Sequence, residues 1–216
     1  MSTTRRMVLG TAAAAPLLSQ FAGTTSAAAA ADDKWGTMSD GWIEVRWTPR
    51  AREQMDRFEA VVEAVAPARL VGDAHGSAVR FPVPSGSGDP SLADLRKATI
   101  GGSVAGGIAV RTRQGSFRVE GMESLLRDGV ASGTWVVNGI DMGHRSVFRC
   151  DPAEGRLSTE DVPPGRPMRV RIQEVPMRPT AELLEGFAAT FGKPAFTADT
   201  VVAHFTAEAL YTPPGG

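Results

Sequence analysis

Along residues 42–47 the apolar Ile43, Val45 and Trp47 alternate with Glu44 and Arg46, the two-residue period of a strand with one wet face. Thr48-Pro49 follows, an N-cap and a proline at the first helical position. Ala51, Met55, Phe58, Val62 and Val65 then recur at steps of three and four, opposite Arg52, Glu53, Asp56, Arg57 and Glu63. That spacing predicts an amphipathic helix with one core-facing stripe, ending before Pro67.

Beyond this helix the pattern is strand and turn. Residues 78–83 read as a strand and 84–90 as a Gly/Ser/Pro loop. Residues 98–111 form a small-residue run whose Gly101, Gly102, Gly106 and Gly107 predict bulges or close sheet packing. Gln114-Gly115 turns the chain into 116–122, where Phe117 and Val119 alternate with Arg118 and Glu120, completing a hairpin. Further short strands are predicted over 134–137, 147–150, 156–159 and 168–175. A second helix starts near Thr180, carries Leu183, Leu184, Phe187 and Phe191 on one side and stops at Gly192, before a last strand over 200–211. Strands that follow one another without regular helical crossovers predict a mainly β fold, a sandwich or curved antiparallel sheet with two marginal α-helices.

Composition narrows the function classes. The 216 residues are 42% hydrophobic and 22% charged, the balance of one globular domain. Basic and acidic residues number 23 and 24, a formal charge of −1, so no global field draws the chain to nucleic acid. The single cysteine, Cys150, permits no internal disulfide and excludes a cysteine zinc site or a CxxC redox pair. Neither GxGxxG nor a GK[ST] ending accompanies the paired glycines, which argues against a phosphate-binding loop.

The N-terminus carries the sharpest signal. Arg5-Arg6 ahead of Met7-Val8-Leu9, a weakly apolar run to Ala22 and A-x-A cleavage options over 27–31 resemble a twin-arginine export signal. The expected organisation is a signal peptide over 1–31, a flexible mature N-terminus over 32–41, one β-rich domain over 42–211 and a flexible tail over 212–216. The protein is then secreted or envelope-associated, meeting the membrane only during export.

Several segments together resemble a family of secreted β-rich modules from high-GC Gram-positive bacteria. They are Val65-Ala66-Pro67-Ala68 after a helix, Val79-Arg80-Phe81-Pro82-Val83, and Ile100-Gly101-Gly102 opening a hairpin that ends Phe117-Arg118-Val119. The segment with Leu183-Leu184, Phe187, Phe191-Gly192 and Ala195-Phe196 before a last strand completes the set. These modules are distantly similar to the haem-uptake domain HtaA, and the resemblance spans residues 42–211 and implies a β architecture. In that domain a tyrosine near the start holds haem with a nearby histidine. Here residues 42–47 contain no tyrosine, and the only one in the chain is Tyr211, so the resemblance transfers no haem ligand.

Candidate chemistry is sparse. Asp73-Ala74-His75 and Asp141-Met142-Gly143-His144 each place a carboxylate beside an imidazole, but Asp and His are also ordinary turn residues and a metal needs three or four ligands. Ser103 or Ser146 with His144 and Asp141 makes a triad on paper without a GxSxG elbow. Glu120, Glu123 and Asp128 fit a solvated hairpin face better than a glycosidase pair. The remaining surface of interest is Arg111, Arg113 and Arg118, which flank one turn and, with Arg169 and Arg171 nearby, suit the phosphates or carboxylates of an anionic cell-wall polymer. The sequence thus predicts an exported, non-catalytic, cofactor-free binding domain for such a polymer or for a small hydrophobic ligand. The alternatives are an HtaA-like carrier of haem or another hydrophobic ligand, and a secreted hydrolase.

Overall fold

The computed structural model describes residues 35–73, 76–88, 100–125 and 129–214. The strands are β1 (Gly36–Trp47), β2 (Val61–Val65), β3 (Arg69–Asp73), β4 (Gly76–Val83), β5 (Ser85–Gly88), β6 (Ile100–Ser103), β7 (Gly107–Arg111), β8 (Ser116–Leu125), β9 (Val130–Val137), β10 (Ile140–Cys150), β11 (Arg156–Thr159), β12 (Met168–Pro179) and β13 (Ala203–Thr212). Helix α1 (Pro49–Arg57) follows β1, and α2 (Ala181–Phe191) lies between β12 and β13. The fold is mainly β.

All pairings among the described residues are antiparallel, and they form a closed circuit. β1 pairs β5, β5 pairs β6, β6 pairs β8, β8 pairs β9, β9 pairs β10, β10 pairs β12, β12 pairs β13, and β13 returns to β1. One edge of β1 is divided, with Gly36–Met38 on β5 and 41–46 on β4. A bulge between Ser39 and Trp42, with Asp40 at φ 48°, lets β1 bend between these partners. β3 extends the sheet from β4, β7 joins β2 to β8, and β11 lines β12. Val45, Phe81, Phe117, Val147, Val175, Phe205 and Tyr211 form a shared core, which is what curls the sheet around one interior.

Both helices begin in the same way. The Thr48 hydroxyl accepts from Ala51 N at 3.2 Å and donates to the Val201 carbonyl at 3.1 Å. The Thr180 hydroxyl accepts from Leu183 N and donates to the Ser146 carbonyl, both at 3.1 Å. Each threonine therefore caps a helix and ties it to the neighbouring chain. Glu182 reinforces the second start by accepting from Ser146 Oγ at 2.6 Å and Ser146 N at 3.0 Å. Those bonds, with Arg145 alongside, hold its carboxyl below the usual carboxylate range. Phe187 of α2 then stacks on Phe117 at 4.8 Å, and Trp135 meets the other side of Phe117 edge-on at 5.0 Å.

The structure departs from the sequence pattern in several places. The predicted first helix stops at Arg57, where Phe58 and Glu59 turn the chain, and Val62 and Val65 belong to β2, paired with β7. Their β-branched side chains favour the strand once a partner edge is available. Residues 36–41, expected to be loose, are strand, because β5 and β13 supply partners on both edges. Ser85–Gly88, expected as loop, is β5, and the 98–111 run divides into β6 and β7 at Gly106, φ 87°. The Arg5-Arg6 signal lies outside the described residues.

Gly36 is fixed by packing. A Cβ there would fall inside the van der Waals envelope of the Tyr211 ring, whereas one at Gly72 would meet nothing within 4 Å. Gly36→Ala is expected to lower unfolding free energy by about 1–3 kcal/mol, the cost of overpacking a filled site. Gly72→Ala should be close to neutral. Urea unfolding of the two variants checks this, and equal stabilities would be inconsistent with Tyr211 filling that site.

Candidate functional site

The three arginines singled out by the sequence do fall together. Arg111 ends β7, Arg113 lies in the following turn, and Arg118 is on β8 opposite Ala109. Each, however, has its own acid: Arg111 pairs Glu63, Arg113 pairs Glu59 at 2.8 Å, and Arg118 pairs Glu120 at 2.7 Å. The strip is charge-balanced. It presents exposed ion pairs, a common way for a sheet surface to stay wet.

The paper triad does not assemble. Ser146 Oγ is engaged with Glu182, His144 Nε2 lies 3.3 Å from Glu123, and Asp141 Oδ1 accepts from Gly143 N at 2.7 Å in a local turn. Ser103 lies on β6 opposite Glu123 of β8, with β8 and β9 between it and the β10 residues Ser146, His144 and Asp141 in the sheet order. His75 and Asp128 lie outside the described residues. Cys150 is buried, and desolvation pushes its thiol up to about 12 against a smaller opposing effect of Arg178, so it is protonated and unreactive at neutral pH.

A different surface collects charge. On the outward side of β3, β4, β1, β13 and β12, cross-strand rows align Arg69, Arg80, Glu44 and Thr206, then Arg46 with His204, and Trp42 with Glu208 and Arg171. Glu44 is shared: Arg80 donates to Oε2 at 2.5 Å and Arg46 to Oε1 at 2.9 Å. Glu208 is shared as well, with Arg169 at 3.2 Å and Arg171 at 4.0 Å. The Arg80 guanidinium also lies 4.4 Å from the Trp42 ring centroid, a cation–π contact on the same face. Two arginines thus converge on each of these glutamates. Burial raises the Glu44 pKa, but the hydrogen bonds from Arg80 and Arg46 outweigh it and hold the carboxyl below its usual range.

At one end of this face is a cavity of about 220 Å³ lined by Glu44, Arg46, Trp47, Thr48, Pro49, Arg52, Glu174, His204 and Thr206. Its walls come from the end of β1, the first turn of α1, β13, and a bulge in β12 between Ile172 and Val175. Glu174 occupies that bulge at φ 59°, a left-handed conformation unusual for a glutamate. Among the described residues, the Arg52 Nε and Trp47 Nε1 donors are buried without hydrogen-bond partners. Two other cavities are smaller. One of about 100 Å³ between the helices and the core is wholly apolar, bounded by Trp47, Met55, Phe117 and Phe187, and one of about 80 Å³ is walled partly by Gly86, Gly101 and Gly102. Both are below the 300–1,000 Å³ common for drug-sized ligands.

Sequence reasoning named Arg169 and Arg171 but not the residues they face. His204 falls within the predicted last strand over 200–211, and Tyr211 at its end beside the expected flexible tail. Tyr211 is instead paired with Met38 and Met168 in β13 and is 1% exposed. The alternation of Glu44 and Arg46 with core residues was the available signal for the charged face, since the opposite strand repeats it with His204, Thr206 and Glu208.

These features define a mainly β domain with a polar cavity on its outer face and small apolar cavities within. The chain is distantly similar to HtaA-like domains. It aligns with the C-terminal domain of HtaA from Corynebacterium glutamicum at 13% identity and a TM-score of 0.48, over 81% of this chain and 99% of that one. It aligns with the heme-binding protein HtaB of the same organism at 7% identity and a TM-score of 0.38, over 82% and 94% of the two chains. No family model and no curated protein matches it.

The Glu44 cluster makes stability pH-dependent. A carboxyl whose folded pKa lies below its unfolded value stabilises the fold above the ordinary carboxylate range, and the effect is lost as pH falls through the folded pKa. Glu44→Gln is therefore expected to cost about 1–2 kcal/mol at pH 7, the usual worth of charge-assisted hydrogen bonds, and progressively less in acid. Denaturation at pH 7 and pH 3 measures the difference. A gap that stayed constant would rule out the ionised carboxylate as its source.

Proposed function

We propose that the protein is an exported, non-catalytic binding domain that engages an anionic polymer of the cell envelope through the outward face of β4, β1, β13 and β12. One observation carries the reading: Glu44 and Glu208 on this face are each shared by two arginines, whereas Arg111, Arg113 and Arg118 each have a glutamate of their own. Phosphate or carboxylate groups of a polymer are suited to the guanidinium groups clustered here, Arg169 and Arg171 sharing Glu208, and Trp42 beside Arg80 offers a flat surface for a sugar. Arg5-Arg6 supports delivery by the twin-arginine route.

The test has two arms. Replacing Arg5 and Arg6 with lysine is expected to leave the precursor inside the cell; normal secretion of that variant would remove the export reading. In the second arm, purified protein is pulled down on isolated envelope at low and high salt. Retention should fall steeply with salt, since exposed charge contacts are screened beyond about 8 Å at physiological ionic strength. Arg169→Gln with Arg171→Gln should lose retention, while the triple Arg111, Arg113, Arg118→Gln variant keeps it. Salt-insensitive retention of all three proteins would overturn the polymer reading.

The wholly apolar cavity of about 100 Å³ favours a second reading, a carrier of a hydrophobic ligand. A haem-sized ligand requires the helices to move off the core, and Tyr211 is closed in against Gly36. Haemin is expected to give no one-to-one Soret band. A tight band that disappears in Tyr211→Phe would establish the carrier reading instead.

A further inference from the structure

We propose that the 220 Å³ cavity between β1, β13, the β12 bulge and the start of α1 is a binding site for a small zwitterion, its carboxylate taken by Arg52 and its ammonium by Glu174. Glu44 is satisfied by Arg80 and Arg46. Of the other ionisable groups on the wall, Arg52, Glu174 and His204 form no side-chain hydrogen bond or ion pair among the described residues. Some charges elsewhere on the domain are paired, as in Arg145–Glu182, Arg149–Asp199 and Arg178–Glu154. An acid and a base that line one cavity without meeting are placed for a ligand that bears both charges.

Two further observations point the same way. Among the described residues the Arg52 Nε and Trp47 Nε1 atoms are buried with no acceptor, a condition that costs free energy, and both residues line the cavity. Glu174 is held at φ 59° in a bulge, and both features recur where a strand re-aims a side chain for function at some cost in backbone strain. Charge decides the ligand class. A simple anion drawn to Arg52 would face the Glu174 carboxylate, and a simple cation drawn to Glu174 would face the guanidinium; a zwitterion satisfies both. The volume suits an amino acid and is below that of drug-sized ligands. His204, opposite Arg46 in the β1–β13 pairing, supplies a further polar group on the wall. The site would take a free small molecule, so it goes beyond polymer binding and does not rest on it.

Calorimetric titration of the purified protein with glycine, β-alanine and 4-aminobutyrate tests this, with acetate and methylammonium as single-charge probes. The three amino acids differ in charge separation, so the tightest of them measures the span of the site. At least one is expected to saturate the protein one to one, with both single-charge probes at least tenfold weaker. Arg52→Gln and Glu174→Gln should each weaken that amino acid at least tenfold. Glu174→Gln should also improve acetate, because the opposing carboxylate is gone; a purely structural role for Glu174 would not produce that reversal. Arg169→Gln with Arg171→Gln, which lowers envelope retention under the polymer reading, should leave the titration unchanged, so either reading can fail alone. Binding of acetate as tight as that of every amino acid, unchanged titration in both cavity variants, or no saturation by any of the three amino acids would overturn the proposal.

Discussion

The architecture depends on β13 lying between β1 and β12. Its backbone satisfies an edge of each at once, and this double pairing turns a string of hairpins into a closed circuit. The same strand alternates Ala203, Phe205, Ala209 and Tyr211 inward with His204, Thr206 and Glu208 outward. A single element therefore seals the core and sets the middle column of the charged face. A change of register by one residue would place Tyr211 in water and Glu208 in the core, so apolar burial fixes the outer face as firmly as the inner one.

Where charge is balanced on this domain, it is balanced locally, and the departures from that balance are what give the outer face its character. Arginines at the β7–β8 turn meet glutamates from the chain around β2, a neighbour in space and not in sequence. At β1 and β13, Glu44 and Glu208 divide themselves between two arginines each. The cavity lies at the end of this row, where the β12 bulge interrupts the ladder before it resumes at Val175.

The parts of the fold legible in the sequence are those specified by side chains. Ile43, Val45 and Trp47 mark β1, Thr48 and Thr180 mark both helix starts, and Gln114-Gly115 marks the β7–β8 turn. The unread elements are those specified by partners. Ser85–Gly88 has no side-chain pattern at all and is a strand because β1 and β6 lie on either side of it. Val62 and Val65 fit a helical stripe until β7 offers them an edge. The site follows the same division. The arginines could be named from the chain, but which acids they meet depends on cross-strand rows. Arg52, Glu174 and His204 converge from three elements with no shared motif.

The seam between β1 and β13 joins residues far apart along the chain, Thr37 with Thr212 and Trp47 with Ala203. Contacts of such long range must await an unfavourable loop closure, which places domains of this kind among the slow folders. During synthesis, β1 and β12 are both made before the strand that covers them. The nascent chain is therefore at its most adhesive late in its manufacture, with two bare sheet edges waiting for Ala203–Thr212 to arrive.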